Sequence, residues 1–98
     1  MVSYLILAKI IDKELFTKYI NGHIPTISKF GGKVVFRSIS NLSILGNNNW
    51  DAIAIQEWED SEAFDKWWNS DEYKPWSEIR DKAAIIDIIK CENFKNNS

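Results

Sequence analysis

The opening segment, Val2–Ile10, constrains the fold more than any other feature, because it is apolar on both of its alternating faces. One set of side chains includes Tyr4 and Ile6, and the other includes Leu5 and Leu7. A strand with one face in water alternates apolar and polar residues, whereas a strand that is apolar on both sides is typical of a sheet covered on both faces. The chain is therefore predicted to begin with a strand that is covered on both faces.

Periodicity in the remaining chain indicates the element order βαββαβ. Apolar residues recur at helical spacing after the Asp12 cap until Gly31-Gly32, and a second helical stretch is interrupted at "NSDEYKP", where Ser70 can cap a new turn. The predicted elements are strands over Val2–Ile10, Lys33–Ile39, Ala52–Trp58 and Ala84–Cys91, with helices over Asp12–Phe30 and from Asp60 or Ser61 to Ala83; Leu42–Leu45 is considered as a continuation of the second strand beyond a bulge near Ser40-Asn41.

This order predicts an α+β, ferredoxin-like fold with an antiparallel four-stranded sheet and two helices on one face, the second of them broken. Two helices cover only one face of the sheet, so the other apolar face needs a different cover. A second copy of the chain is the simplest one, and we expect a homodimer through the sheet faces.

Composition narrows the classes of function. The chain has 98 residues, 45% of them apolar, and a net charge of −2 from well-mixed charges, so no basic face is available for nucleic acid. The single cysteine, Cys91, cannot form an internal disulfide and fits a reducing cytoplasm, and no membrane or targeting segment is visible. We expect one domain over residues 1–92 and a polar tail over residues 93–98, without a metal or cofactor.

His23 is the only histidine, and it lies between Gly22 and Pro25. It is four residues from both Tyr19 and Ile27, so its ring is expected to point toward the sheet, where imidazole is the natural proton carrier near neutral pH. The structural alternative is that Gly22 and Pro25 loosen the helix and that His23 bonds a carbonyl freed near Asn21. Both interpretations stay open at the level of sequence.

Three charged residues are candidates for ligand binding. Arg37 and Glu57 lie in neighbouring strands of a predicted hairpin, and if they share a face they form either an ion pair or part of a site. Arg80 can bind a substrate carboxylate or enolate, or instead satisfy carbonyls at the end of its own helix. Trp50, near a loop end, can form the wall of a pocket, whereas Trp67-Trp68 is assigned to the core. The predicted pocket is bounded by His23, Arg37, Trp50, Glu57, Tyr73 and Arg80.

Several segments together resemble the domain of unknown function 1330 family of short bacterial proteins. They are "SYLILAKI", "KFGGKVVFRS", "GNNNW" and "EWEDSEAFDKWWNSDEYKPWSEIR", spanning about Ser3 to Glu92. The resemblance implies a dimeric α/β barrel, in a superfamily that includes cofactor-independent monooxygenases, muconolactone isomerases and haem enzymes.

Three hypotheses of function follow. The first is a cofactor-independent enzyme, similar to a monooxygenase or an isomerase, that acts on an aromatic or polyketide-like acid, with His23 as proton carrier and an arginine as anion anchor. The second is a non-catalytic module that binds a small ligand in the same pocket. The third is a purely structural dimerisation domain with a filled core.

Overall fold

The computed structural model describes residues 1–92 and has the predicted ferredoxin-like α+β fold. Four antiparallel strands form one sheet in the order β2-β3-β1-β4, so that β1 lies between β3 and β4. The elements are β1 (Val2–Ile10), α1 (Lys13–Lys29), β2 (Lys33–Ser38), β3 (Ala52–Trp58), α2 (Ser61–Trp68), α3 (Lys74–Ala83) and β4 (Ala84–Glu92). The predicted tail over residues 93–98 lies outside the described residues.

The core lies between the helices and one face of the sheet. Tyr4 and Ala8 of β1, together with Trp58 of β3, are almost completely buried against the helices. Tyr4 stacks on Phe64 of α2 with the ring centroids 3.9 Å apart, and Trp67 of α2 is also fully buried. The aromatic residues thus join α2 to the two central strands.

The opposite face of the sheet carries apolar side chains that no described residue covers. Leu5 and Ile55 face each other across β1 and β3 and are half-buried, while Ile85 and Ile89 of β4 are exposed. This arrangement follows the alternation predicted for β1, since Leu5 lies on the face opposite Tyr4. We refer to this surface, formed by Leu5, Leu7, Ile53, Ile55, Ile85 and Ile89, as the open sheet face.

Two local predictions were wrong. β2 ends at Ser38, and Leu42–Leu45 is not a continued strand. Ser43 Oγ donates to the carbonyls of Leu45 and Gly46, and the chain bends over residues 44–47. The irregularity of β2 lies inside the strand, between Val34 and Phe36, and not near Ser40-Asn41. This bulge determines the orientation of every later residue of β2.

Candidate functional site

Helix α1 places Tyr19 and His23 on its buried side, which faces the sheet. Phe16, Tyr19, His23 and Ile27 follow one another at spacings of three and four residues, and all four are buried. The helix continues through Pro25 to Lys29, so the predicted bend does not interrupt it.

His23 has a defined tautomer. Its Nδ1 lies 2.7 Å from the backbone carbonyl oxygen of Tyr19. A carbonyl can only accept, so Nδ1 carries the proton and the Nε2 of the neutral ring holds a lone pair. The ring also stacks on Tyr19 with centroids 3.9 Å apart and planes 9° apart, which fixes its orientation. The carbonyl predicted as its partner, near Asn21, is the wrong one; the bond is made one half-turn earlier.

The Nε2 atom of His23 is directed to an internal cavity. His23 lines that cavity and is only 5% exposed. Within residues 1–92 the Nε2 atom makes no hydrogen bond. Every fully buried side-chain nitrogen or oxygen in that range has a partner, so Nε2 is not fully buried. The atom is consequently accessible from the cavity and can accept a hydrogen bond from a ligand.

The environment keeps His23 neutral. Burial lowers its pKa from 6.5 to about 4, and the positive charges of Arg37 and Arg80 act in the same direction, against the opposing effect of the bond to Tyr19. At neutral pH the ring is therefore an acceptor, and it is a weaker base than an exposed histidine.

A hydrogen-bonded chain links Tyr19 to α3 and its N-cap residue. The hydroxyl oxygens of Tyr19 and Tyr73 lie 2.7 Å apart, and Nη1 of Arg80 donates to the Tyr73 hydroxyl over 3.1 Å. Burial raises the pKa of both tyrosines, so the two hydroxyls stay protonated at neutral pH. Arg80 is held in place by Asp81, whose Oδ1 accepts from Nε, and by the ring of Trp68, 4.8 Å from the guanidinium carbon.

The bulge in β2 turns Arg37 toward the helices. Lys33 pairs with Glu57 on the open sheet face. After the bulge Phe36 pairs with Ile55 on that same face, so Arg37 pairs with Ala54 on the face that carries the helices. Arg37 and Glu57 therefore do not share a face, and the ion pair considered from the sequence cannot form across this pairing. Arg37 is exposed and lines the mouth of the cavity.

Gln56 adds a second polar group to the cavity wall. Its Oε1 accepts from the indole Nε1 of Trp58 over 3.0 Å. Because an indole nitrogen can only donate, this bond fixes the orientation of the amide and leaves the Nε2 protons of Gln56 free of any partner within the described residues. Gln56 is 3% exposed and lines the cavity.

The cavity has a volume of about 70 Å³ and lies between α1 and the sheet. Its wall is largely apolar, with a few polar groups that converge from different elements, which is typical of a ligand site. The polar lining consists of Tyr19, His23, Arg37, Ser38, Gln56 and Tyr73, together with the indole of Trp67, among apolar side chains that include Ile20, Ile24, Ala54 and Ile86.

The structure brings together His23, Arg37 and Tyr73 from the predicted set, but it does not bring the other three residues to the cavity. Trp50 lies near Lys9, whose Nζ is 5.3 Å from the ring centroid. Glu57 is on the open sheet face, opposite Ser3 of β1. Arg80 lies behind Tyr73 and does not line the cavity. Within the described residues its guanidinium bonds Tyr73 and Asp81 and no helix-end carbonyl.

Sequence reasoning missed Tyr19 and Gln56. The spacing of four residues between Tyr19 and His23 puts both side chains on the buried side of α1, and this spacing is the signal that identifies the Tyr19 hydroxyl as a candidate. Gln56 carries a clearer signal, since it is a polar residue in the alternating set of Ala54 and Trp58, which faces the helices. A buried amide in such a set needs partners, and that need points to a cavity.

These features define a ferredoxin-like α+β protein with a small polar-lined cavity between its first helix and its sheet. The family model described as "Domain of unknown function (DUF1330)" matches residues 3–94, and the chain belongs to this family. No curated protein matches the sequence. None of the helices within residues 1–92 has the length and apolar character needed to cross a membrane.

Several solved structures share the fold. RPA0582, a protein of unknown function from Rhodopseudomonas palustris, is 21% identical, with a TM-score of 0.87 over 97% of this chain and 83% of that chain. SnoaB, a cofactor-independent oxygenase from Streptomyces nogalater, is 12% identical, with a TM-score of 0.69 over 98% of this chain and 95% of that chain. A dimeric protein of unknown function and ferredoxin-like fold from Bacteroides fragilis is 14% identical, with a TM-score of 0.58 over 94% of this chain and 95% of that chain. At these identities the likeness establishes the fold alone.

Proposed function

We propose that this protein binds a small organic acid in the cavity and acts on it as a cofactor-independent enzyme, similar to a monooxygenase or an isomerase. One observation carries the proposal: His23 directs a lone pair into an apolar cavity whose mouth is lined by the guanidinium of Arg37. A fixed acceptor inside and a cation at the entrance suit a ligand that enters with its carboxylate outermost.

The size of the cavity limits the ligand. A volume of about 70 Å³ is roughly half of the 150 Å³ that holds a benzene ring in an engineered apolar cavity. This volume therefore accommodates the few atoms at one end of a molecule. An aromatic or polyketide-like acid needs a wider mouth, on the side where Arg37 and the largely exposed Ile39 lie.

A non-catalytic binding module is the second candidate, and the low basicity of His23 favours it. General bases work best when their pKa is near the operating pH, whereas the pKa of His23 is about 4. Proton exchange separates the two candidates. In deuterated buffer, an enzyme that uses His23 exchanges the hydrogens beside the carbonyl of a bound oxo acid faster than buffer does, whereas a binding module does not accelerate this exchange.

We further propose that the protein is a homodimer through the open sheet face. The uncovered apolar residues on that face support this assembly, and the ferredoxin-like protein from Bacteroides fragilis is described as dimeric. Dimerisation alone is the third candidate function, but a structural module has no need for a cavity with polar groups aimed into it. A cytoplasmic setting also remains part of the proposal, and the free thiol of the exposed Cys91 is compatible with it.

The binding proposal is tested by ligand-observed NMR with a set of short carboxylic acids, in parallel with the Ala54→Leu variant. Ala54 lines the cavity, so a larger side chain there occupies its volume without removing any polar group. Acids that bind the parent and not the filled variant support the proposal. Failure of every acid to bind the parent contradicts it.

A further inference from the structure

We propose that the Tyr19–Tyr73 pair, backed by Arg80, is the oxyanion donor of the cavity, and that the acid it takes is an oxo acid bound as its enol. This inference rests on the proposed function and specifies its ligand class. It concerns Tyr19, a residue that the sequence did not single out, and it gives Arg80 a positioning role in place of direct contact with the ligand.

Counting protons shows that the pair has one to give. Arg80 can only donate, so the hydrogen bond of 3.1 Å uses a guanidinium proton and a lone pair of Tyr73. The two tyrosines together have two hydroxyl protons, and their mutual bond of 2.7 Å uses one of them. Whichever tyrosine donates in that bond, one hydroxyl proton is left without an acceptor within residues 1–92, and both residues line the cavity.

In either direction of the Tyr19–Tyr73 bond, the hydroxyl that keeps a free proton also accepts a hydrogen bond, from Tyr73 or from Arg80, and this makes it a stronger donor. Each donor in such a chain polarises the next, and the cationic guanidinium lies at its start. Both tyrosines are buried and protonated, so they donate to an oxygen and do not act as bases. Preorganised donors of this kind stabilise an oxygen that gains negative charge.

The three inner polar groups together select the ligand. A tyrosine hydroxyl and the Gln56 amide offer protons, while His23 Nε2 offers a lone pair. An enol placed beside a carbonyl meets this pattern, because its hydroxyl donates to His23 and its carbonyl oxygen accepts from the tyrosine. A simple carboxylate has no proton for His23 at neutral pH, and a simple ketone has none either.

The same groups can transfer one proton within the ligand without any other reactant. His23 Nε2 takes a proton from the carbon beside the carbonyl, the C–H electron pair becomes the carbon–carbon double bond, and the carbonyl oxygen takes the negative charge while accepting from the tyrosine. Return of the proton from Nε2 to that oxygen gives the enol and completes a keto–enol tautomerisation. No oxidant or further reactant takes part.

The test uses acetylacetone as the enol probe, 2-pentanone as the single-carbonyl control and xenon as the apolar probe of the cavity itself. The parent should bind acetylacetone several-fold more tightly than 2-pentanone, with the bound fraction enriched in enol by its ultraviolet band. Tyr19→Phe and Tyr73→Phe should each weaken acetylacetone about five- to tenfold while xenon still binds. Tyr4 is buried in the core but does not line the cavity, so the control variant Tyr4→Phe should leave the binding of acetylacetone, 2-pentanone and xenon unchanged.

Arg80 is tested by the enol preference. Arg80→Met should reduce the ratio of acetylacetone to 2-pentanone affinity, and Arg80→Lys, which retains a donor, should restore part of it; a merely structural role would change both affinities equally. The inference is overturned if the two ketones bind equally, or if the tyrosine variants bind acetylacetone like the parent. In that case, continued binding of xenon and of short acids would still support the proposed function. Loss of short-acid binding to the parent overturns both.

Discussion

The Nδ1 of His23 lies 2.7 Å from the carbonyl oxygen of Tyr19, one turn earlier in α1, and the two rings stack. This relationship combines the structural and the functional interpretations of His23, because the bond that anchors the ring also assigns its lone pair to Nε2. The histidine is held by the helix and at the same time presents an acceptor to the cavity.

The depressed pKa of His23 predicts a dependence of stability on pH. The folded state binds the proton only near pH 4, while the unfolded state binds it near pH 6.5, so acidification between these values favours unfolding. A shift of this size corresponds to about 3 kcal/mol of unfolding free energy at most, present above pH 6.5 and lost as the pH falls toward 4. Denaturant unfolding of the parent and of His23→Phe isolates this contribution, since the variant should lack that part of the slope.

An NMR titration checks the same prediction directly. The chain contains a single histidine, so its imidazole resonances need no assignment strategy. Resonances that titrate near pH 4 agree with the structure. A midpoint near pH 6.5 would show that the ring is solvated and that its orientation toward the cavity is wrong.

Gly22 is predicted to be essential for the packing of α1 against α3. A Cβ atom at this position would lie 2.1 Å from Cη2 of the Trp76 ring, far inside contact distance. Alanine usually stabilises a helix by about 1 kcal/mol relative to glycine, but here Gly22→Ala should destabilise by about 1 to 3 kcal/mol. Thermal melts measure the effect. The double variant Gly22→Ala with Trp76→Leu is the control, and it should recover much of the loss; equal stability of parent and Gly22→Ala would refute the close approach.

The open sheet face gives a prediction about assembly. Ile55→Asp places a charge in the centre of that face and should convert a dimer to a monomer at micromolar concentration, because a buried unpaired carboxylate is strongly unfavourable. Lys18→Asp on the exposed side of α1 is the matched control and should stay dimeric. Light scattering measures the mass, and a parent that is monomeric at these concentrations removes the proposed interface.

Arg37 is predicted to add a modest, salt-dependent contribution to acid binding. It is exposed, so its attraction for a carboxylate should be worth about two- to fivefold in affinity at low salt. Arg37→Gln should therefore weaken butyrate but not butyramide, as measured by NMR titration. Lys33 lies on the same strand but on the other face, next to Glu57. The control variant Lys33→Gln should therefore change neither the affinity for butyrate nor that for butyramide.

The sequence predicts the fold because each element repeats its period over many residues. β1, β3, and the break before α3 follow from alternation, capping residues and Pro75, and their bounds agree closely with prediction. The site is harder to predict, since it depends on single-residue events. One bulge between Val34 and Phe36 moves Arg37 to the cavity face and leaves Glu57 on the other, and alternation alone cannot locate an inserted residue.

Two other misplacements have a similar origin. The sequence indicates that Arg80 is near Tyr73, but not that Asp81 and Trp68 hold its guanidinium behind the tyrosine. Trp50 precedes β3 by a short turn, and its position against Lys9 depends on how that loop closes over β1. Such contacts depend on tertiary geometry that local patterns do not encode.

The most direct test of the cavity as a binding site is the response of the His23 imidazole to a bound acid. In a titration with butyrate at pH 7, the His23 ring resonances should shift and saturate. The shift should be absent in the Ala54→Leu variant, whose cavity is filled and whose fold is intact by circular dichroism. Butyrate that binds with the His23 resonances unmoved, or that binds equally to Ala54→Leu, would contradict the claim that this cavity is the site of the protein.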